Sequence, residues 1–237
     1  MKPRAASVGV DRAHLRVSRS VLQRGLLAGG VHHLHSTRRT ARDLIRLLDD
    51  CVARGVTPLG DALGSGVPQA WQHYAADDGQ ATRPGGWFFY YHSHGRGARG
   101  EHGHFHVFVR LPRGRARSAP DFVHLVGIGV DARGLPVRLF TTNRWVTGEA
   151  WRSAPAMGRK FAQIVAAQPA AAAPLERWLH DLLVLFAPQI RLLLARRDQR
   201  VAARGGEGVL DDRHVYVLSC CRVSLTDQVA AIDAASP

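Results

Sequence analysis

The stretch that decides the fold reads Gly86-Trp-Phe-Phe-Tyr-Tyr-His92-Ser-His94-Gly-Arg-Gly-Ala-Arg-Gly-Glu101-His102-Gly-His104-Phe-His106-Val-Phe108. Trp87 to His92 is aromatic and β-prone, and His104 to Leu111 alternates, so both read as strands. The glycine-rich residues between them predict a hairpin. Side chains along a strand alternate between faces. Pairing His92 with His104, and His94 with His102, sends His92, His94, His102, His104 and His106 to one side. Phe89, Tyr91, Phe105, Val107 and Val109 then line the other side, which becomes the core. A slip of one residue would part the two sets.

Working outward, Phe122 to Val130 and Pro136 to Thr142 are further strands, separated by the turn signal Asp131 to Gly134, and His214 to Ser219 reads as a last strand. Before the sheet, apolar residues from Ala41 to Val52 recur at helical spacing and predict a helix over Arg38 to Arg54, with Ser36, Thr37 or Thr40 as its cap. A shorter amphipathic helix is expected from Ser18 to Ala28. Pro58 to Gly86 reads as a long connection held by Trp71 and Tyr74. After the sheet, helices are predicted over Met157 to Ala167, Pro174 to Ala187, and from Pro188 to about Arg204. The predicted fold class is α+β, an antiparallel meander of four to five strands with helices packed on one face. We place this single domain at residues 36–233, after a basic segment 1–35 and before a tail 234–237.

The 237-residue chain is 46% hydrophobic and 22% charged, which suits a packed core and is far from the low-hydrophobicity composition of a disordered chain. Three cysteines, Cys51, Cys220 and Cys221, do not make a disulfide framework, and a reducing cytoplasmic setting is expected. The longest uncharged run, Phe161 to Leu175, has 15 residues and two prolines, whereas a membrane helix needs ~20 apolar residues. No membrane association or secretory signal is therefore expected. The formal charge is +13, yet 30 of the 32 basic residues are arginine, a bias that GC-rich codon usage also produces. Along the chain this charge has no single focus. Its one dense patch is Arg110, Arg113, Arg115 and Arg117, and His32, His33 and His35 read as surface residues. The sequence thus ranks a plain cationic surface above nucleic acid as the meaning of the charge.

Five of the thirteen histidines fall within 15 residues. Neutral imidazole is a common metal ligand, and crowding in a cationic protein favours the neutral form. His102 and His106 lie ~13 Å apart along a strand, so one ion would draw on neighbouring strands. The candidate metal ligands are His92, His94, His104 and His106, for a divalent zinc or non-haem iron, with Glu101 or His124 as further donors. Candidate catalytic residues are Glu101 as general base, His104, and Arg144 as an anchor for a small-molecule substrate.

His102-Gly-His104-Phe-His106-Val-Phe is similar to the histidine-triad signature of nucleotide hydrolases and transferases. That resemblance implies attack on a phosphate by His104, supported by His102 and His106. It departs at Gly103, and the family's upstream Asn and Gln are absent. Gly86 followed by His92-Ser-His94 resembles the opening of the first cupin metal motif, but Glu101 stands too far downstream. A broader likeness runs through Trp71-Gln-His73-Tyr74, Glu101-His-Gly-His-Phe-His106, Leu139-Phe-Thr-Thr-Asn-Arg-Trp-Val-Thr-Gly-Glu149, Leu185-Phe-Ala-Pro-Gln-Ile190 and Arg197-Asp198. Over roughly residues 70–233 these resemble an uncharacterised bacterial domain family of unknown function, which implies no activity. The leading expectation is a protein with a histidine-lined, metal-capable pocket. Its rivals are a metal-free phosphoryl transferase using His104 and a non-catalytic binding protein with a basic surface. Oligomeric state is not legible.

Overall fold

A computed structural model describes residues 13–63, 73–74, 82–93, 100–112, 120–167 and 173–236. The strands run β1 (His73–Tyr74), β2 (Trp87–Ser93), β3 (Gly103–Arg110), β4 (Phe122–Val130), β5 (Pro136–Thr142) and β6 (Val217–Arg222). They form one antiparallel sheet in chain order, as a meander must. The four central strands match their expected spans to within one residue. The sixth, β1, is a two-residue edge strand inside the stretch read as a connection, where His73 pairs with His92. Trp71 lies outside the described residues.

The helices are α1 (Arg19–Leu27), α2 (Gly30–Ala53), α3 (Pro58–Leu63), α4 (Arg144–Thr147), α5 (Ala154–Ala166), α6 (Pro174–Leu185), α7 (Ala187–Ala203) and α8 (Leu225–Ala234). Ser18 caps α1 by accepting from the Val21 amide. Helix α2 begins eight residues earlier than its apolar periodicity predicts, so His32, His33 and His35 stand on it. Its first two turns carry few apolar residues, which is why a search for a hydrophobic face misses them. Proline opens both α6 and α7, where a missing N–H costs nothing. The axes of those two helices meet at 71°. No single helix among the described residues is long and apolar enough to cross a membrane.

The main core lies between one sheet face and the helices. Phe89, Tyr91, Phe105, Val107, Val109, Val126, Ile128 and Val130 point into it, against Trp178, Leu179, Leu182 and Phe161. The Phe105 and Trp178 rings approach to 5.5 Å, and burying a side chain of that size contributes ~1.5–3 kcal/mol. The alternation of the central hairpin thus settles which face the helices cover, and the histidines fall on the other.

Candidate functional site

The β2–β3 register pairs His92 with His104. Their rings stack 5.3 Å apart and 8° from parallel. His106, two residues on, meets His104 edge to face at 4.6 Å and lies 5.0 Å from the Tyr90 ring. Three of the four candidate ligands, His92, His104 and His106, therefore share one face, while His94 lies outside the described residues. His102 departs from the expected row. Its Nδ1 meets the hydroxyl of Tyr91, a residue of the helix-side core, at 2.8 Å. The reason is Gly103, since a Cβ there would sit 2.2 Å from that hydroxyl. The missing side chain lets the phenol pass over the strand.

Glu101 stands just ahead of β3. Arg138 Nε and Nη2 donate to its two carboxylate oxygens at 2.9 Å each, and Oε1 lies 3.5 Å from His104 Nδ1. Space for the carboxylate comes from Gly129 of β4, opposite His104, where a Cβ would meet the carboxyl carbon at 2.7 Å. Burial opposes ionisation of Glu101, but the bonds from His104 and Arg138 and the Arg138 charge outweigh it. The carboxyl is held below its ordinary range. Arg138 also lies over the Phe140 ring at 4.5 Å, which fixes the fork from below.

His124 of β4 completes the row. Its Nε2 bonds His106 Nδ1 at 3.0 Å, and its Nδ1 bonds Thr142 Oγ1 at 3.1 Å. Strict alternation would put His124 on the helix side with Val126, Ile128 and Val130. A bulge where Val107 pairs with Val126 but Phe108 with His124 sends both Leu125 and Val126 into the core and returns His124 to the histidine face. Burial, then the positive charge of Arg197 and His104, lowers the His124 pKa to about 3, so the ring is neutral. His104, His106 and His124 are 8%, 5% and 1% exposed.

A family model described as a domain of unknown function, DUF6969, matches residues 38–223, which take in every strand and every residue of this face. The chain belongs to that family. No curated protein and no solved structure matches it.

In this DUF6969 chain the polar segment after β5 turns out to be a brace. Asn143 caps α4 by accepting from the Arg144 amide, and its Nδ2 donates to the Val209 carbonyl at 2.8 Å. Trp145 Nε1 donates to the Val215 carbonyl. Gly148, at φ +65°, ends the turn in the left-handed region that other residues avoid. The chain then buries Glu149 against β4, where its Oε2 accepts from the His124 amide and its Oε1 from Thr147 Oγ1 at 3.2 Å. Burial raises the Glu149 pKa to about 8 against those bonds and the Arg197 charge. Arg144, expected as a substrate anchor, pairs with Asp211 at 2.5 Å. None of its hydrogen bonds or ion pairs given by the structure is with a histidine.

The Arg197-Asp198 motif is structural as well. Arg197 Nη2 donates to the Arg152 carbonyl at 2.6 Å, and Asp198 Oδ2 accepts from the Ala154 amide to start α5. Sequence reasoning missed Arg138 and Glu149 as parts of the site. Arg138 carries no local signal, but the long motif that ends on Glu149 did mark its segment. Among the described residues, no group of three or more His, Cys, Asp or Glu is arranged to hold a metal ion.

Proposed function

We propose that the histidine face is an acid–base centre in which His104 takes and returns a proton during turnover of a small molecule. One observation carries this reading: a buried carboxylate, clamped bidentately by Arg138, faces Nδ1 of His104. A carboxylate on Nδ1 holds the imidazole in one tautomer, leaves Nε2 as the basic nitrogen and stabilises the imidazolium that forms when a proton arrives. At 3.5 Å the contact is long, and such bonds tighten on substrate binding. His106, bonded to His124, which Thr142 holds in turn, packs edge-on against the reacting ring.

The test is a panel of small esters, amides and phosphoesters, nucleotides included, with untagged protein in chelator. Turnover should persist, fall ~10²–10⁴-fold in His104→Asn and fall less in Glu101→Gln. Unchanged turnover in His104→Asn overturns the reading. A covalent phosphohistidine at His104 would narrow it to phosphoryl transfer of the histidine-triad kind.

A second reading, a divalent zinc or non-haem iron site, rests on His92 and His104 standing side by side with Glu101 beside them, a nitrogen and oxygen donor set such metals take. His94 and His106 would complete it, although His106 Nδ1 is engaged by His124. An imidazole lone pair lies in its ring plane, and two nearly parallel stacked rings share no such point, so His92 or His104 would have to turn. Metal analysis of the untagged protein separates the two readings. Stoichiometric zinc or iron, with turnover lost on chelation, supports this one.

A further inference from the structure

Helix α2 packs its buried flank, Leu34, Thr37, Ala41, Leu44 and Cys51, against the protein. The opposite flank carries His32, His35, Arg39, Arg42 and Arg46, at intervals of three and four residues that place them in one line. All five are exposed. The line spans ~21 Å at the rise of a helix. Counted along the chain, the charge looked spread out; the helix gathers it.

Acidic neutralisation begins only at the far end of this line. Asp43 is held by Arg46 at 3.2 Å and by Arg177 at 3.6 Å, and Asp50 by Arg54. Arg39 and Arg42 make no ion pair with an acid among the described residues. Arg38 is turned away, donating to carbonyls of Ile232, Asp233 and Ala235 at the end of α8. His32, His35, Ser36, Arg38, Arg39 and Arg42 line a groove of about 620 Å³.

We propose that this flank of α2 binds the phosphate backbone of a nucleic acid, with Arg39 and Arg42 on successive phosphates and His32, His35 and Ser36 beside them. Three features select this occupant. Among the described residues the groove is lined by arginine, histidine and serine side chains, with no aromatic or aliphatic residue to anchor a protein partner. Arginine forks fit phosphate oxygens in pairs. Arg39 and Arg42, ~4.5 Å apart along the helix axis, face a polymer whose charges also recur at regular steps. The surface lies across the sheet from the histidine face, so this proposal and the acid–base reading stand or fall separately.

The test is fluorescence anisotropy of the full chain with a labelled 20-nucleotide single strand and the matching duplex, from 50 to 300 mM salt. Binding should weaken with salt along a log–log slope of about −1.5 to −2, as two arginine–phosphate contacts require. Arg39→Glu with Arg42→Glu should weaken binding at least tenfold at low salt and remove most of that slope. Arg133→Glu with Arg196→Glu, the same charge change on other exposed positions, should cost far less. Arg39→Gln with Arg42→Gln serves should the reversal fail to fold, and should weaken binding in the same direction. The proposal is overturned by no binding at 50 mM salt or by equal losses in the two reversal pairs. Displacement by poly-glutamate or anionic vesicles at matched charge overturns it too, because it assigns the groove to a different partner.

Discussion

Glu149 has its carboxyl buried against β4 and a pKa of about 8, against an ordinary value of 4.5. Between those values the folded chain holds a proton that the unfolded chain releases, so stability falls as pH rises from about 4.5 to about 8. His124 works in the opposite sense. Its folded pKa of about 3 lies below the ordinary 6.5, so stability falls as pH drops through that window. Glu149→Gln keeps an acceptor for the His124 amide but does not titrate. Urea midpoints should show the variant more stable than the parent at pH 8.5, by on the order of 1–3 kcal/mol, and little different at pH 5. A constant offset at all pH would count against a proton on Glu149. At this scale the sequence was only partly legible. The His92–His104 pairing was expected from closing the glycine-rich hairpin in one register, but the clamp on Glu101 joins it to a residue of β5, 37 positions away, and no local spacing encodes it.

At the scale of elements, β4 shows how a strand is adapted to carry a site. It sets Gly127 and Gly129 opposite His106 and His104, so the rings and the carboxylate lie over bare backbone. Glycine is ordinarily a poor strand residue, and alanine in its place usually helps. Here the sign reverses. A Cβ at Gly127 would meet the Phe140 ring at 2.3 Å, and that ring is hemmed by His104, His106 and Arg138. Gly127→Ala should therefore lower the urea midpoint, by ~1–3 kcal/mol of stability; an increase would mean the ring has room to move. Strand spans and faces were legible because the apolar alternation is strong. The face of His124 was not, since one bulge inverts parity and its only sequence trace is the doubled Leu125-Val126.

For the whole molecule, composition and strand patterning were enough to reach an α+β sheet with helices on one side, because the central strands follow one another with no helix between them and consecutive strands pair. The start of α2 and the edge strand β1 escaped, having too little apolar patterning to register. The other edge has a consequence of its own. Ala13 is buried with Phe140 and Cys220, and the Leu15 amide donates to the Cys220 carbonyl at 2.6 Å. Arg200 takes the carbonyls of Val217 and Leu218. Unoccupied acceptors on an edge invite strands from other chains. Chain lacking residues 1–17 should keep its far-ultraviolet circular dichroism yet scatter light increasingly with concentration, and equal scattering from the intact protein would show that the cover is idle. Proteolytic trimming at the amino terminus would then convert a closed border into a seed for fibrous growth.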